Sequence, residues 1–325
     1  MDSMTSFGVQ SPHTAAAAVA LLVANPHAKL IAGGTDLMPN LRHGIGAPDG
    51  LIDLNQIEEL NQIERSGQGW IIGAGVTLSQ LATRADVRSE LPLLAQAAAT
   101  VAGPGHRTVA TLGGNLCLDT RCMFYNQGQW WRESNNFCLK HGGEVCHVAP
   151  QGARCHAAWS GDLAPALIAL NASVDILGPL GLRQLPLSEF YVDDGAQPLT
   201  LAPAELITAV RIPSLRPGSR SGYRKARVRG AIDFPLAGVA ACCVVSKDVL
   251  TELRVALTGT NSRPFLLTGT VALCHQPVTP ELLTALGKLV QKQVNPMRTT
   301  GTSAAYRRQV AAVLAQRLVG ELSAL

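Results

Sequence analysis

The chain has 325 residues, 47% of them apolar and 15% charged, with a formal net charge of +4. This composition excludes a disordered chain and leaves room for two domains, each with its own core. The charge is too slight and too dispersed to argue for nucleic acid, and no apolar run reaches the ~20 residues of a membrane span, so neither is expected as a partner.

In chain order, Ala15–Ala24 (AAAAVALLVA) is apolar enough for the core of a secretory signal. No Lys or Arg precedes it, and Asp2 does, so it reads as a buried helix capped near Ser11 with Pro12 at its first position. A cytoplasmic location is expected, where thiols stay reduced and clustered cysteines point to metal or redox chemistry. Residues 28–32 (AKLIA) read as a strand ending in Gly33-Gly34-Thr35-Asp36. LMPNLRHG starts as a helix and breaks at Pro39 and Gly44, and residues 51–54 (LIDL) form a second strand. Residues 70–74 are a third strand, and Thr77 caps a helix to about Ala85. An alanine-rich helix over 91–101 is stopped by Gly103-Pro104-Gly105.

Residues 111–162 differ from the rest. They hold five of the eight cysteines (117, 122, 138, 146 and 155) and three of the four tryptophans. The stretch is too long for an ordinary connection, so it reads as functional. After it come a helix over 163–170, a hairpin from 174–177 and 182–185, and a strand over 205–212 closed by Pro213. Residues 214–221 (SLRPGSRS) read as a linker. Strands at 222–229, 237–245 and 253–259 and helices at about 280–294 and 303–322 make up a second domain.

Two glycine pairs carry candidate chemistry. A phosphate approaches a backbone closely only where no Cβ intervenes, and exposed amides then donate to it. Ala32-Gly33-Gly34-Thr35-Asp36 follows a strand and precedes a helix, and Thr111-Leu112-Gly113-Gly114-Asn115 offers a second such turn. Neither is the GxGxxG of a Rossmann site, and tight turns without a ligand explain either pair alone. Cys122, Cys138, Cys146 and Cys155 are separated by 15, 7 and 8 intervening residues. None forms a CxxC pair, so spacing alone leaves zinc, an iron–sulfur cluster and free buried thiols all open. Cys242, Cys243 and Cys274 read as small core residues. Asp162 reads as a plain helix cap. Arg220, Arg224, Lys225, Arg227 and Arg229 read as a solvated strand face, with a cation beside a flavin as the functional option.

The motifs IAGGTDL, IIGAGVTLSQLA, TLGGNL and SGDLAPAL, in this order, resemble the flavin-binding subunit of the xanthine oxidase and carbon monoxide dehydrogenase group of molybdenum hydroxylases. The resemblance covers nearly the whole chain. It implies an α+β fold: a two-part FAD-binding domain of the PCMH/VAO-like type over residues 1–214, with subdomains of about 1–55 and 56–214, then a C-terminal α+β domain over 222–325 with an antiparallel sheet and helices. It implies an FAD site on Ile31, Ala32, Gly33, Gly34, Thr35, Asp36, Leu37, Thr111, Gly113, Gly114 and Asn115, with Cys117 against the isoalloxazine, Asp162 and Lys225 near the ring and Ile207 flanking its other face. Family members typically lack the insert at about 118–158. That insert, with TRCMFYNQ and WWR, is similar to the one in the β subunits of 4-hydroxybenzoyl-CoA reductases. The likeness implies a 4Fe–4S cluster on Cys122, Cys138, Cys146 and Cys155. Flavin subunits of bacterial aldehyde oxidoreductases are a looser match, and an aldehyde or heterocycle oxidoreductase of the same family, passing electrons outward to an acceptor, is the alternative enzyme. The implied assembly is a heterohexamer, (αβγ)2, with a large subunit carrying the molybdenum cofactor and a small one carrying two 2Fe–2S clusters. Ferredoxin is the implied electron donor, this chain an electron-transfer subunit without substrate chemistry of its own. A zinc-stapled structural protein is the alternative of another class.

Overall fold

The computed structural model describes residues 7–298 and 301–324. Three sheets carry the chain. The first is parallel, in the order β1 (Gly8–Gln10), β3 (Gly50–Asp53), β2 (Lys29–Ile31). Its connections are α1 (Ala15–Ala24) and α2 (Leu37–Arg42). Thr14 caps α1, not Ser11: its hydroxyl accepts from the Ala17 amide at 3.1 Å, and Pro12 stays in the preceding segment. Ala15, Ala18, Val19 and Leu22 recur at helical spacing and are buried with Ile52, Ile57, Leu60 and Leu206. The apolar run is thus a core helix.

The second sheet is antiparallel, in the order β4 (Ile63–Ser66), β5 (Gly69–Gly73), β8 (Leu206–Pro213), β6 (Ser173–Gly178), β7 (Gly181–Pro186). Between β5 and β6 run α3 (Leu78–Thr83), α4 (Ala85–Glu90), α5 (Pro92–Thr100), α6 (Pro104–Arg107), α7 (Leu112–Leu116), α8 (Gln129–Ser134) and α9 (Leu163–Ala169). Thr77 and Gln80 close a reciprocal capping box at the start of α3. Pro104 does not simply stop the preceding helix; it opens α6, since proline is tolerated at a first helical position. Every residue of α9 is buried, which makes it the axis of the main core.

The third sheet is antiparallel: β9 (Ser219–Ala226), β10 (Ala237–Ser246), β11 (Val249–Thr258) and β12 (Phe265–Leu266), with β13 (Gln276–Pro277) also on β11. β9 begins inside the segment expected to be a linker, because Ser219 already pairs with Val244. Alternate residues of β10 face opposite ways. Val239, Ala241 and Cys243 share a core with α10 (Pro280–Gln293) and α11 (Ala304–Ala324), while Ala240 joins the main core. Tyr223 of β9 also faces the main core, which carries its strand neighbour Lys225, two residues on, toward the start of α9.

Candidate functional site

The first glycine turn lies between β2 and α2, and its residues 31–37 are all half-buried. A Cβ on Gly33 would stand 2.1 Å from the Val109 carbonyl oxygen, so only glycine fits there. Gly34 has φ +66, the left-handed region that favours glycine. Among the described residues no protein acceptor takes the amides of Gly33, Gly34, Thr35, Asp36 or Leu37. Five successive amides are therefore left to donate outward, as an anion cradle requires.

The second turn is built differently. Leu112 and Gly113 donate to the Val76 and Ala74 carbonyls at 2.9 and 2.8 Å, and Gly114 donates to Thr111 Oγ1 at 3.1 Å. Its amides are spoken for, contrary to the expectation of a second donor turn. Its glycines serve close packing instead: a Cβ on Gly113 would come 2.8 Å from that of Ala74. Because Gly33 abuts Val109, the two turns are nearest neighbours. Cys117 ends α7 exposed at the surface, yet the protein packed around it pushes its thiol up to about 12.

Asn115 joins the second turn to α9, its Oδ1 accepting from the Leu163 amide at 3.1 Å. Asp162 stands at the start of α9 but makes no side-chain cap, so the plain-cap reading does not hold. Its carboxylate instead accepts from Tyr223 Oη at 2.6 Å and from Lys225 Nζ at 2.9 Å. The Asp162 and Lys225 side chains are 4% and 2% exposed, so Lys225 is not part of a solvated face. Burial pushes the Asp162 carboxyl up, and Lys225 and Tyr223 pull it back. Arg224, by contrast, pairs with Glu321 at the surface. Ile207 is packed in the main core on β8.

Residues 118–158 form a closed excursion. Arg121 and Ala158 exchange both backbone hydrogen bonds at 2.8 Å and clip its neck. The Arg121 guanidinium pairs with Asp36 of the first turn, donates to Asn40 Oδ1 at 3.2 Å and lies 4.7 Å from the Phe234 ring centroid. Burial lowers that guanidinium to about 10. Within the excursion Cys122, Cys138, Cys146 and Cys155 line one small cavity, with Phe124, Tyr125, Lys140 and His147 among its other walls. Cys138, Cys146 and Cys155 are buried, and none of the four is in a disulfide. Asn136 and Phe137, both at positive φ (54 and 51), turn the chain immediately before Cys138. The Phe124 and Ala157 amides donate to the sulfurs of Cys122 and Cys155, each at 3.4 Å. Among the described residues no three His, Cys, Asp or Glu side chains converge tightly enough to hold a single metal ion.

Residues 5–215 match the family model described as the FAD binding domain in molybdopterin dehydrogenase, and residues 221–322 match the CO dehydrogenase flavoprotein C-terminal domain. The chain belongs to this family. Its relatives include the aldehyde oxidoreductase FAD-binding subunit PaoB of Escherichia coli K12, 34% identical, with 81% of this chain and 84% of the relative covered. Another is the carbon monoxide dehydrogenase medium chain of Hydrogenophaga pseudoflava, 30% identical over 78% of this chain and 74% of the relative. In structure, carbon monoxide dehydrogenase from H. pseudoflava superposes with a TM-score of 0.81 at 25% identity, covering 99% of each chain. The α+β architecture expected from the motifs is therefore that of a molybdenum hydroxylase flavin subunit.

Several residues of this flavin subunit's site escaped sequence reasoning. Arg132 is 1% exposed, yet it pairs with no carboxylate among the described residues. Its guanidinium donates to the carbonyls of Gln127 and Gly44 at 2.9 and 2.8 Å and to Gln129 Oε1 at 2.7 Å, and its Nε has no partner. Lys140 and Asp119 pair beside the cysteine cavity at 2.5 Å. Tyr223 and Arg121 are likewise visible only once the chain folds.

Proposed function

We propose that this chain is the electron-transfer subunit of a molybdenum hydroxylase-family complex and that it holds a 4Fe–4S cluster in addition to FAD. FAD and the cluster would supply stepwise electron storage and transfer. The amides of residues 33–37 would take the pyrophosphate, with the Thr111-to-Asn115 turn as the adjoining wall. Cys117 would floor the ring site and remain protonated there. Lys225, held by Asp162, would place a cation near the ring, and Ile207 would back it from the core.

The observation that carries the cluster reading is the set of four cysteines around one cavity. Four thiolates on one zinc, each at ~2.3 Å, stand within about 3.8 Å of one another. Four thiolates suit either that tetrahedral ion or one thiolate on each iron of a cubane, and iron and zinc analysis separates the two. Charge supports the cluster reading. Arg132 is a buried cation without a carboxylate, and a buried charge demands compensation. Four thiolates outweigh the charge of an iron–sulfur core and would supply it, whereas four neutral thiols would not. The two amide-to-sulfur contacts fit thiolate ligands as well.

The insert's likeness to 4-hydroxybenzoyl-CoA reductase favours a complex that removes a phenolic hydroxyl from an aryl-CoA thioester, with the substrate on a large molybdenum subunit, a small 2Fe–2S subunit between and ferredoxin as donor. The 34% identity to the E. coli aldehyde oxidoreductase subunit favours aldehyde oxidation as the second reading. Assaying the purified complex with 4-hydroxybenzoyl-CoA and reduced ferredoxin, and separately with aromatic aldehydes and an electron acceptor, distinguishes them. Thioester turnover supports the first; aldehyde turnover alone overturns it. In either complex Cys138→Ala should lower both iron content and rate.

A further inference from the structure

Lys140 follows the second cysteine of the cavity by two residues, in a single 3₁₀ turn over Leu139–His141. Its side chain is 5% exposed. The ammonium donates to Asp119 Oδ1 at 2.5 Å and to Thr120 Oγ1 at 2.6 Å, and lies 4.3 Å from the Tyr125 ring centroid. Lys140 lines the cysteine cavity; its partner Asp119 does not, and Asp119 keeps 30% of its side chain in contact with solvent. The pair is thus oriented, with the cation toward the thiols and the anion away from them. Packing alone does not call for this arrangement. An apolar side chain of the same length would fill the space without the cost of desolvating an ammonium.

Asp119 also fixes where the cation sits in the chain. It lies two residues after Cys117 and three before Cys122, on the segment that runs from the candidate ring site to the first cysteine. Besides the four thiols, the other titratable groups lining the cavity are Tyr125, whose ring lies against the ammonium, and His147, whose Nε2 contacts the Phe137 carbonyl at 2.7 Å; Arg132, held by the Gln127 and Gly44 carbonyls, is not among the lining residues. Lys140 is the cation among the cavity-lining residues.

We propose that Lys140 sets the reduction potential of the 4Fe–4S cluster, and that Asp119 moderates its effect; the proposal rests on the cluster reading above. Reduction adds one electron to a centre that is already anionic. A cation fixed in its wall, shielded from water, stabilises the reduced form more than the oxidised one and raises the potential. The carboxylate behind the ammonium offsets part of that gain.

The test is a redox titration of the full complex under anaerobic conditions, with dithionite and ferricyanide as titrants and low-temperature EPR as the readout. Iron and flavin are counted on the same samples. Lys140→Met should keep its iron and lose at least tenfold in the reduced-to-oxidised ratio at a fixed potential, a downward shift of about 59 mV for one electron. Lys140→Arg should stay near the parent value. Asp119→Asn, which leaves the ammonium uncompensated, should shift the potential upward. An iron-replete Lys140→Met with an unshifted potential overturns the proposal. Should Lys140→Met lose its iron, Asp119→Asn decides, and an unshifted or lowered potential there overturns it. A parent protein without the additional four irons overturns the cluster reading itself, a result that iron analysis separates from the others.

Discussion

Replacing Lys225 by methionine removes one half of a pair whose members are 2% and 4% exposed. The Nζ to Oδ2 distance is 2.9 Å, for which an effective dielectric constant of 20 gives an attraction of roughly 6 kcal/mol. Losing one partner of such a buried pair costs about 3–5 kcal/mol, or roughly two to three and a half orders of magnitude in the unfolding equilibrium. The variant has a partial escape, because Asp162 can take up a proton. Burial already pushes that carboxyl above its ordinary value, and Lys225 is the largest influence pulling it down. Without Lys225 the folded value rises further. A carboxyl raised in the folded state contributes stability that is full below the unfolded value and is lost as pH rises through the folded one. The deficit of Lys225→Met should therefore be small near pH 4 and grow toward its ceiling as pH increases. Urea unfolding of the flavin-free chain, followed by tryptophan fluorescence across that range, measures it. Asp162→Asn combined with Lys225→Met should cost less than the sum of the single changes. A deficit that does not vary with pH, or strict additivity, would refute the reasoning.

Gly33→Ala should abolish FAD retention and destabilise the chain by more than about 2 kcal/mol, because the new Cβ would meet the Val109 carbonyl at 2.1 Å and backbone must move; flavin content after gel filtration checks it. Cys117, open at the surface but pushed up to about 12, should resist iodoacetamide at pH 8 in the flavin-free chain and react as pH approaches that value. The same upward displacement implies stability that is full below the ordinary thiol value of about 8.5 and declines as pH rises from there toward about 12. Thr111→Ala removes the Oγ1 that accepts from the Gly114 amide and should cost about 1 kcal/mol by thermal unfolding.

Much of the fold was legible because its elements announce themselves locally. Thr279 before Pro280 gives α10 a capping hydroxyl and a proline at its first position, and Gly178 and Gly181 flank the β6–β7 turn. β1 was not legible: three exposed residues carry no pattern, and only pairing with β3 makes them a strand. β9 begins at Ser219 because β10 offers it a partner there, whatever the Ser, Pro, Arg and Gly around it suggest. The site divides in the same way. The first glycine turn follows from local backbone needs and could be read directly. The different role of the second depends on Ala74 and Val76, which are distant in sequence. Asp162 looked like a cap because a cap is a local device, and its actual partners lie 61 and 63 residues away. The four cysteines had no diagnostic spacing, since their cavity is assembled by the Arg121–Ala158 clip and by the turns around Cys138 rather than by one motif.

Metal analysis of the anaerobically purified chain, combined with EPR after dithionite reduction, bears most directly on the cysteine pocket. The account predicts four irons and no zinc per chain, a signal from one reduced cluster, and loss of both iron and signal in Cys138→Ala. Stoichiometric zinc without iron, or full iron retained in that variant, would contradict it.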